Sequence, residues 1–432
     1  MLIRLRETFW FVPAMFCVVA TALAQGLIAL DHRLPDDIPF IAVGASGSRD
    51  LLGAIAGSML TVASTTFSIT VAVMALSSST YGPRLVRNFM ADRGNQVVLG
   101  VFVSTFLYAL LVLRAVRADE QNEDGFVPQV AVSVAVLLAM AAIGVLIYFI
   151  HHISDTVQVS TLARQVRTDL YQCIDRRYPS TGADLRGVRA APVGMTGELP
   201  DGVPVTSKSV GYVQRVDEDA ILERAIERDL VIVLRIQPGD YLVHGHEVAT
   251  IGPPARVSDA DRDAVLDSLR VEDSRTPHQD VDFAVQQLEE MAVRALSPST
   301  NDPYTARNAL DELSSGLALM AGRPTPDPHR YDEEGRLRVI APHVTLVDLV
   351  NRTFDAMRLY ALAHPSVLHR TLLLAERIGS RTQDESVHRC IHENADLLVD
   401  AFALTDPQPH DLEPLRARAR QLASLGRSQL TA

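Results

Sequence analysis

The side chains best placed to do chemistry are hydroxyls set inside an apolar stretch. Leu51–Pro83 runs for 33 residues without a charged group, yet it carries Ser58, Thr61, Ser64, Thr65, Thr66, Ser68 and Thr70, then Ser77, Ser78, Ser79 and Thr80. Hydroxyl oxygens in a pore can replace part of an ion's hydration shell. In a dry bundle the same groups bond to a neighbouring helix or back to their own carbonyls. At roughly 100° per residue, Gly57, Thr61, Ser64 and Ser68 fall in one sector of a helix, with Ser58 and Thr65 at its edge and Gly53 beside it. Gly53 and Gly57 form a Gly-xxx-Gly pair, which lets helix backbones approach closely. The face is predicted to be a helix-packing surface or the lining of a water-filled path, and both hold if copies pack around an oligomer axis.

Other constellations are weaker. Arg84, Arg87 and Arg93 form a basic cluster just after this run. Such a cluster fixes topology and touches anionic lipid, or forms a cationic ring at a pore mouth. The acidic stretch Asp119, Glu120, Glu123 and Asp124 reads as a solvated loop, or as a vestibule that concentrates cations. His388 and His392 have metal spacing on one helix face, but Arg389 stands where a zinc-protease motif needs glutamate. His244 and His246 flank a turn glycine, and His151-His152 suits an interfacial anchor. Ser297, Pro298, Asn301, Asp302, Pro303 and Thr305 mark a corner between two helices, with Asp302 as N-cap and Pro303 in the first turn. That corner also offers polar groups for a ligand or subunit contact. No phosphate loop, dinucleotide fingerprint or nucleophile elbow is present in the sequence, so no enzyme, catalytic residue, metal site or cofactor is expected.

Four apolar segments must position these groups. Phe9–Leu30, a segment from Leu51 to about Leu76, Val97–Leu113 and Val130–Ile150 each approach the roughly 20 residues that span a bilayer. No Asp, Glu, Lys, Arg or His lies in their cores, which argues against a proton relay or voltage sensor. Arginines near the segment ends favour both termini inside. The chain of 432 residues is 47% hydrophobic with net charge −12, so nucleic-acid binding is not expected. Its cysteines, Cys17, Cys173 and Cys390, are too scattered for a disulfide framework or zinc knuckle.

Beyond the fourth segment the pattern changes. Residues 156–204 read as an amphipathic helix and a Gly/Pro-rich linker. Residues 205–254 read as a small β-rich barrel or sandwich. It is similar to lipoyl- and biotinyl-carrier modules, but no lysine sits at its hairpin, because Lys208 precedes the first strand. Residues 255–432 read as an α-helical bundle, with Gly322–Gly335 a polar loop.

Two strings carry a family resemblance. Ala295-Leu296-Ser297-Pro298-Ser299-Thr300-Asn301-Asp302-Pro303-Tyr304-Thr305-Ala306 is one, and Tyr81-Gly82-Pro83-Arg84-Leu85-Val86-Arg87-Asn88-Phe89-Met90 is the other. Both resemble the bacterial inner-membrane family called domain of unknown function 2254, and the resemblance covers nearly the whole chain. Ser299-Thr300 departs from it, since that family more often has glycine and a β-branched residue there. The resemblance implies four membrane helices in residues 1–155 and a long cytoplasmic region, but no activity.

These features predict a multi-pass protein of the bacterial cytoplasmic membrane with both termini cytoplasmic. It is expected to be a homo-oligomeric channel for ions or small solutes, lined by the hydroxyl-rich second helix and gated by the cytoplasmic region. The alternative is a membrane-anchored sensory or scaffolding protein without transport. Expected partners are the lipid bilayer, further copies of the chain, and ions or small solutes.

Overall fold

The computed structural model describes residues 10–33, 44–81, 93–117, 126–156, 159–178 and 201–429. They form two compact units, divided between Thr161 and Leu162.

The first unit holds four helices, α1 Phe11–Asp31, α2 Ala45–Tyr81, α3 Arg93–Ala115 and α4 Gln129–Thr156. Each is long and apolar enough to cross a membrane, with mean hydropathy between 1.5 and 2.8. α3 sits at the centre and packs against the other three. Its glycine Gly100 admits the ring of Phe16, which a Cβ would meet at 3.2 Å. Leu52, Phe102, Val112 and Ala131 fill the core. Fully buried Tyr108 donates its hydroxyl to the Ala131 carbonyl at 3.0 Å.

One end of this bundle is tied by polar contacts. The Asp31 carboxylate, at the last residue of α1, accepts the backbone N–H groups of Val130 and Ala131 at 3.1 and 3.0 Å. Those are orphan donors in the first turn of α4, and an anion is favoured there. Arg49 donates to the Val116 carbonyl at 3.0 Å, and the His32 ring stacks on Phe126 with centroids 3.9 Å apart.

The boundary falls in the first turn of α5 Val159–Arg177, and the second unit runs from Leu162 of that helix into a mixed α/β region. Its strands are β1 Val203–Thr206, β2 Gly211–Val216, β3 Val231–Leu234, β4 Tyr241–Leu242, β5 Glu247–Gly252, β6 Leu269–Glu272, β7 His329–Tyr331 and β8 Leu337–Ile340. One sheet has the order β1-β5-β3-β8-β7, and a second has the order β4-β2-β6. Helices α6 Glu218–Arg228 and α7 Asp259–Asp267 lie between strands in sequence. Val213, Val216 and Leu242 from the smaller sheet share one core with Ile232, Leu234 and Ile251 from the larger, and with Ile221 of α6.

The strands therefore do not form a barrel confined to residues 205–254. β1 starts inside the expected linker, β6 and β8 come from the expected helical region, and β7 lies in the expected Gly322–Gly335 loop. β8 completes the larger sheet by pairing in parallel with β3. Parallel pairing requires a long crossover, so its partner is remote in sequence. Buried Arg338 ties the join: it reaches Asp229, just before β3, at 2.8 Å, and pairs with Asp332 of the β7–β8 turn at 2.8 Å.

The rest is helical: α8 Val281–Ala295, α9 Pro303–Ala321, α10 Leu346–Tyr360, α11 Pro365–Gly379, α12 Glu385–Ala403 and α13 Pro409–Gln429. Each of α8 to α12 buries an apolar stripe. α5 belongs to this bundle, with Val166, Leu170, Cys173 and Ile174 fully buried.

Candidate functional site

The hydroxyl face of α2 points away from its own bundle. Leu52, Ile55, Ala56, Met59, Ala63 and Thr66 are buried against the other helices. Gly53, Gly57, Ser58, Thr61, Ser64, Thr65 and Ser68 are all exposed. At roughly 100° per residue, Gly57 is diametrically opposite Thr66. Ala54, Ala72 and Ala75 fall on the same outer sector, and the exposed side chains of Leu60 and Val71 stand at its Gly53 edge. A Cβ added at Gly53 or Gly57 would meet nothing within 4 Å.

The hydroxyls turn back on their own helix. Thr61 donates to the Gly57 carbonyl, Thr65 to Thr61 and Ser68 to Ser64, each at 2.9 Å, and Ser58 donates to Ile55 at 3.0 Å. Each donor is thus spent, while the oxygen keeps acceptor lone pairs. The outer face of α2 consequently presents acceptors and no free hydroxyl donors at these four residues.

α2 has 37 residues. At about 1.5 Å per residue it is roughly 55 Å long, against a hydrocarbon core of about 30 Å. Of the basic cluster expected beyond it, Arg84 and Arg87 lie outside the described residues, as does the acidic stretch 119–124. Arg93 opens α3 as an exposed residue. Two positions further on, Asn95 is 3% exposed, and neither its amide oxygen nor its nitrogen has a hydrogen-bond partner among the described residues. Nothing in the spacing of the sequence distinguished this amide from a solvated one.

The corner at 297–305 is built as its sequence predicts. Asp302 caps α9 by accepting the Thr305 N–H at 3.0 Å and the Thr305 hydroxyl at 2.6 Å. That hydroxyl bond holds the Asp302 carboxyl below the usual carboxylate range. Asn301 takes a left-handed φ of 44°, and its N–H bonds the Ser297 carbonyl at 2.8 Å. Asp302 N–H then closes on the Ala295 carbonyl at 2.7 Å. Pro303 occupies the first turn of α9. Pro298, Asn301 and Tyr304 are exposed, with Tyr304 at 67%. The corner and the α2 face lie in different units.

The histidine pairs do not converge. His388 Nε2 contacts the Thr382 carbonyl at 3.2 Å, whereas His392 Nδ1 faces Asp396 at 3.5 Å. His244 and His246 are exposed around Gly245, whose φ of 83° marks a turn. Among the described residues no group of His, Cys, Asp and Glu is placed to hold a metal ion.

A buried charge network escaped the sequence. Arg275 pairs in a fork with Asp280, at 2.7 and 2.8 Å, and also with Asp282 at 2.9 Å. Arg352 bridges Asp282 and Glu289, the latter at 2.9 Å, and Thr353 donates to Glu289 at 2.6 Å. Burial pushes the Glu289 carboxyl up to about 7 and lowers Arg352 to about 10. The network clamps α8 to α10.

Comparison with known proteins agrees with this architecture. The family model described as "Predicted membrane protein (DUF2254)" matches residues 6–376. Two relatives are "Uncharacterized protein Rv1290c" of Mycobacterium tuberculosis strain H37Rv and "Uncharacterized protein Mb1321c" of Mycobacterium bovis. Each is 32% identical over 408 residues, covering 92% of this chain and 76% of the relative. No solved structure matches the chain. With its family model spanning four apolar helices and most of the mixed α/β region, the chain belongs to the DUF2254 family of predicted membrane proteins.

Proposed function

We propose that this is a homo-oligomeric channel of the bacterial cytoplasmic membrane, with α2 of each copy lining a central path for ions or small solutes. Both termini lie in the cytoplasm, and the second unit assembles the oligomer and gates the path. The observation that carries the reading is the outward orientation of the Gly53–Ser68 face, opposite the side of α2 that its own bundle buries among the described residues. Against lipid, a row of glycines and hydroxyls gains less contact than leucines would. Around an axis the glycines permit close approach and the hydroxyls face water.

The hydroxyl geometry supports cations as the permeant species. With their protons donated to the helix, Thr61, Thr65 and Ser68 offer only oxygen lone pairs outward. Rings of such acceptors suit cations.

The test is conductance of purified protein in planar bilayers, with the oligomer verified by cross-linking. Cation current is expected, and Thr61→Leu or Ser68→Leu should reduce it several-fold. Intact oligomers that carry no current under any ionic condition would sink the channel reading. The second reading is a membrane-anchored scaffold in which α2 faces meet dry. It is favoured by the Gly53/Gly57 pair, which suits direct backbone contact. In that case hydroxyl-to-alanine changes leave activity intact.

A further inference from the structure

The second unit contains an open cavity of about 920 Å³ between α5, α9 and the end of α11. That volume lies within the roughly 300–1,000 Å³ typical of ligand sites. Four of its lining residues are arginines, Arg167, Arg323, Arg377 and Arg381, against two carboxylates, Asp311 and Glu312. The lining therefore carries a formal +2 in a chain whose net charge is −12.

The arginines are not equally committed. Arg323 is spent on α5, donating to the Ile174 and Tyr178 carbonyls at 3.2 and 2.6 Å. Arg167 pairs with Glu312 at 2.8 Å and lies over the Tyr171 ring. Arg377 uses one terminal nitrogen on both Asp311 and Ser314, at 2.8 and 2.6 Å, which leaves its other N–H donors unspent. Arg381 is exposed, and its guanidinium has no partner among the described residues. Beside these, Tyr171 and Ser315 share one hydrogen bond of 2.5 Å between two hydroxyls. Two hydroxyls hold two protons and that bond consumes one, so a donor is left over.

We propose that this cavity binds a phosphate-bearing anion, gripped by Arg381 and the free edge of Arg377 with a hydroxyl from the Tyr171–Ser315 pair. A planar guanidinium matches phosphate oxygens in a two-pronged fork, and charge-assisted bonds of this kind are about twice as strong as neutral ones. The two carboxylates do not oppose the ligand, because Glu312 is covered by Arg167 and Asp311 by Arg370 and Arg377. The phosphate belongs either to a soluble metabolite or to a lipid headgroup. Headgroups are a source because α5 follows the apolar helix α4 almost directly in sequence. The site lies within the second unit and does not depend on α2 conducting anything.

The experiment titrates inorganic pyrophosphate into the full chain held in phosphatidylcholine nanodiscs, read by calorimetry in phosphate-free buffer. Saturable binding is expected, weakened at least tenfold by Arg381→Gln and partly restored by Arg381→Lys. Arg381 is exposed and unpaired, so neither change disturbs the fold, and the melting temperature verifies this. A second titration uses nanodiscs containing phosphatidylglycerol. Pyrophosphate binding that persists there assigns the site to a soluble anion, and binding that is blocked there assigns it to headgroups. Absence of saturable binding in phosphatidylcholine, or binding that Arg381→Gln leaves unchanged, overturns the proposal.

Discussion

Leu170 of α5 lies directly over Gly316 of α9, so that a Cβ added at 316 would overlap its Cδ2 and stand 2.9 Å from its Cγ. Leu170 is fully buried, so its side chain makes way only by displacing packed neighbours. The helix that follows the last apolar segment is therefore locked into the bundle by a contact only glycine permits. Gly316→Ala should cost about 1–3 kcal/mol through overpacking. Faster proteolysis of α5 and a lower melting temperature would report it, whereas an unchanged α5 would mean that the contact gives way freely.

Asp31 should matter to the apolar bundle through α4. Removing its carboxylate leaves the Val130 and Ala131 N–H groups without their partner. Asp31→Ala should destabilise the first unit by about 1–2 kcal/mol, the usual worth of an N-cap. Asp31→Asn, which keeps one acceptor, should lose less. Thermal unfolding in detergent distinguishes the two variants, and equal losses would count against the cap.

Glu289 gives the second unit a pH signature. Burial raises its carboxyl from 4.5 to about 7, while the Thr353 hydroxyl bond pulls the other way. The folded state then holds this proton more tightly than the unfolded chain, so this group's contribution to stability falls as pH rises between those values. Glu218 behaves oppositely. Burial works against its charge, but Arg177 and Arg330 outweigh that and hold it low, so its contribution is lost on acidification. The wild-type profile sums both, and Glu289→Gln isolates one. The gap between variant and wild type should shift in the variant's favour from about pH 5 to about pH 7. Hydrogen exchange of the α8 amides measures it, and a pH-independent gap would mean that Glu289 does not titrate there.

The corner at 297–305 separates a structural role from a binding role. Asn301 sits at φ 44°, where glycine is free of strain. Asn301→Gly should leave stability within about 0.5 kcal/mol, and Asp302→Ala should cost about 1 kcal/mol by removing the cap. If cross-linked oligomers or current disappear in Asn301→Gly while the melting temperature holds, the exposed amide makes a contact beyond the chain. Retention of both marks the corner as architecture alone.

What the sequence determined by itself was local. Asp302-Pro303 reads as a helix start because the cap bonds lie within three residues, and the α2 stripe reads as one face because helix period is intrinsic to the backbone. The four apolar helices follow from composition alone. The direction of the stripe did not, because it depends on which side of α2 meets α3 and α4, and packing against remote helices is not encoded in the period. Likewise, β8 joins β3, Asp31 caps α4, and Glu289 meets Arg352 only when distant segments come together. A carboxylate in a string of letters looks the same whether it will be solvated, paired or buried. Only the tertiary structure supplied the burial and the partner, and it turned Gly53, Gly57, Thr61, Ser64 and Ser68 outward, away from their own bundle.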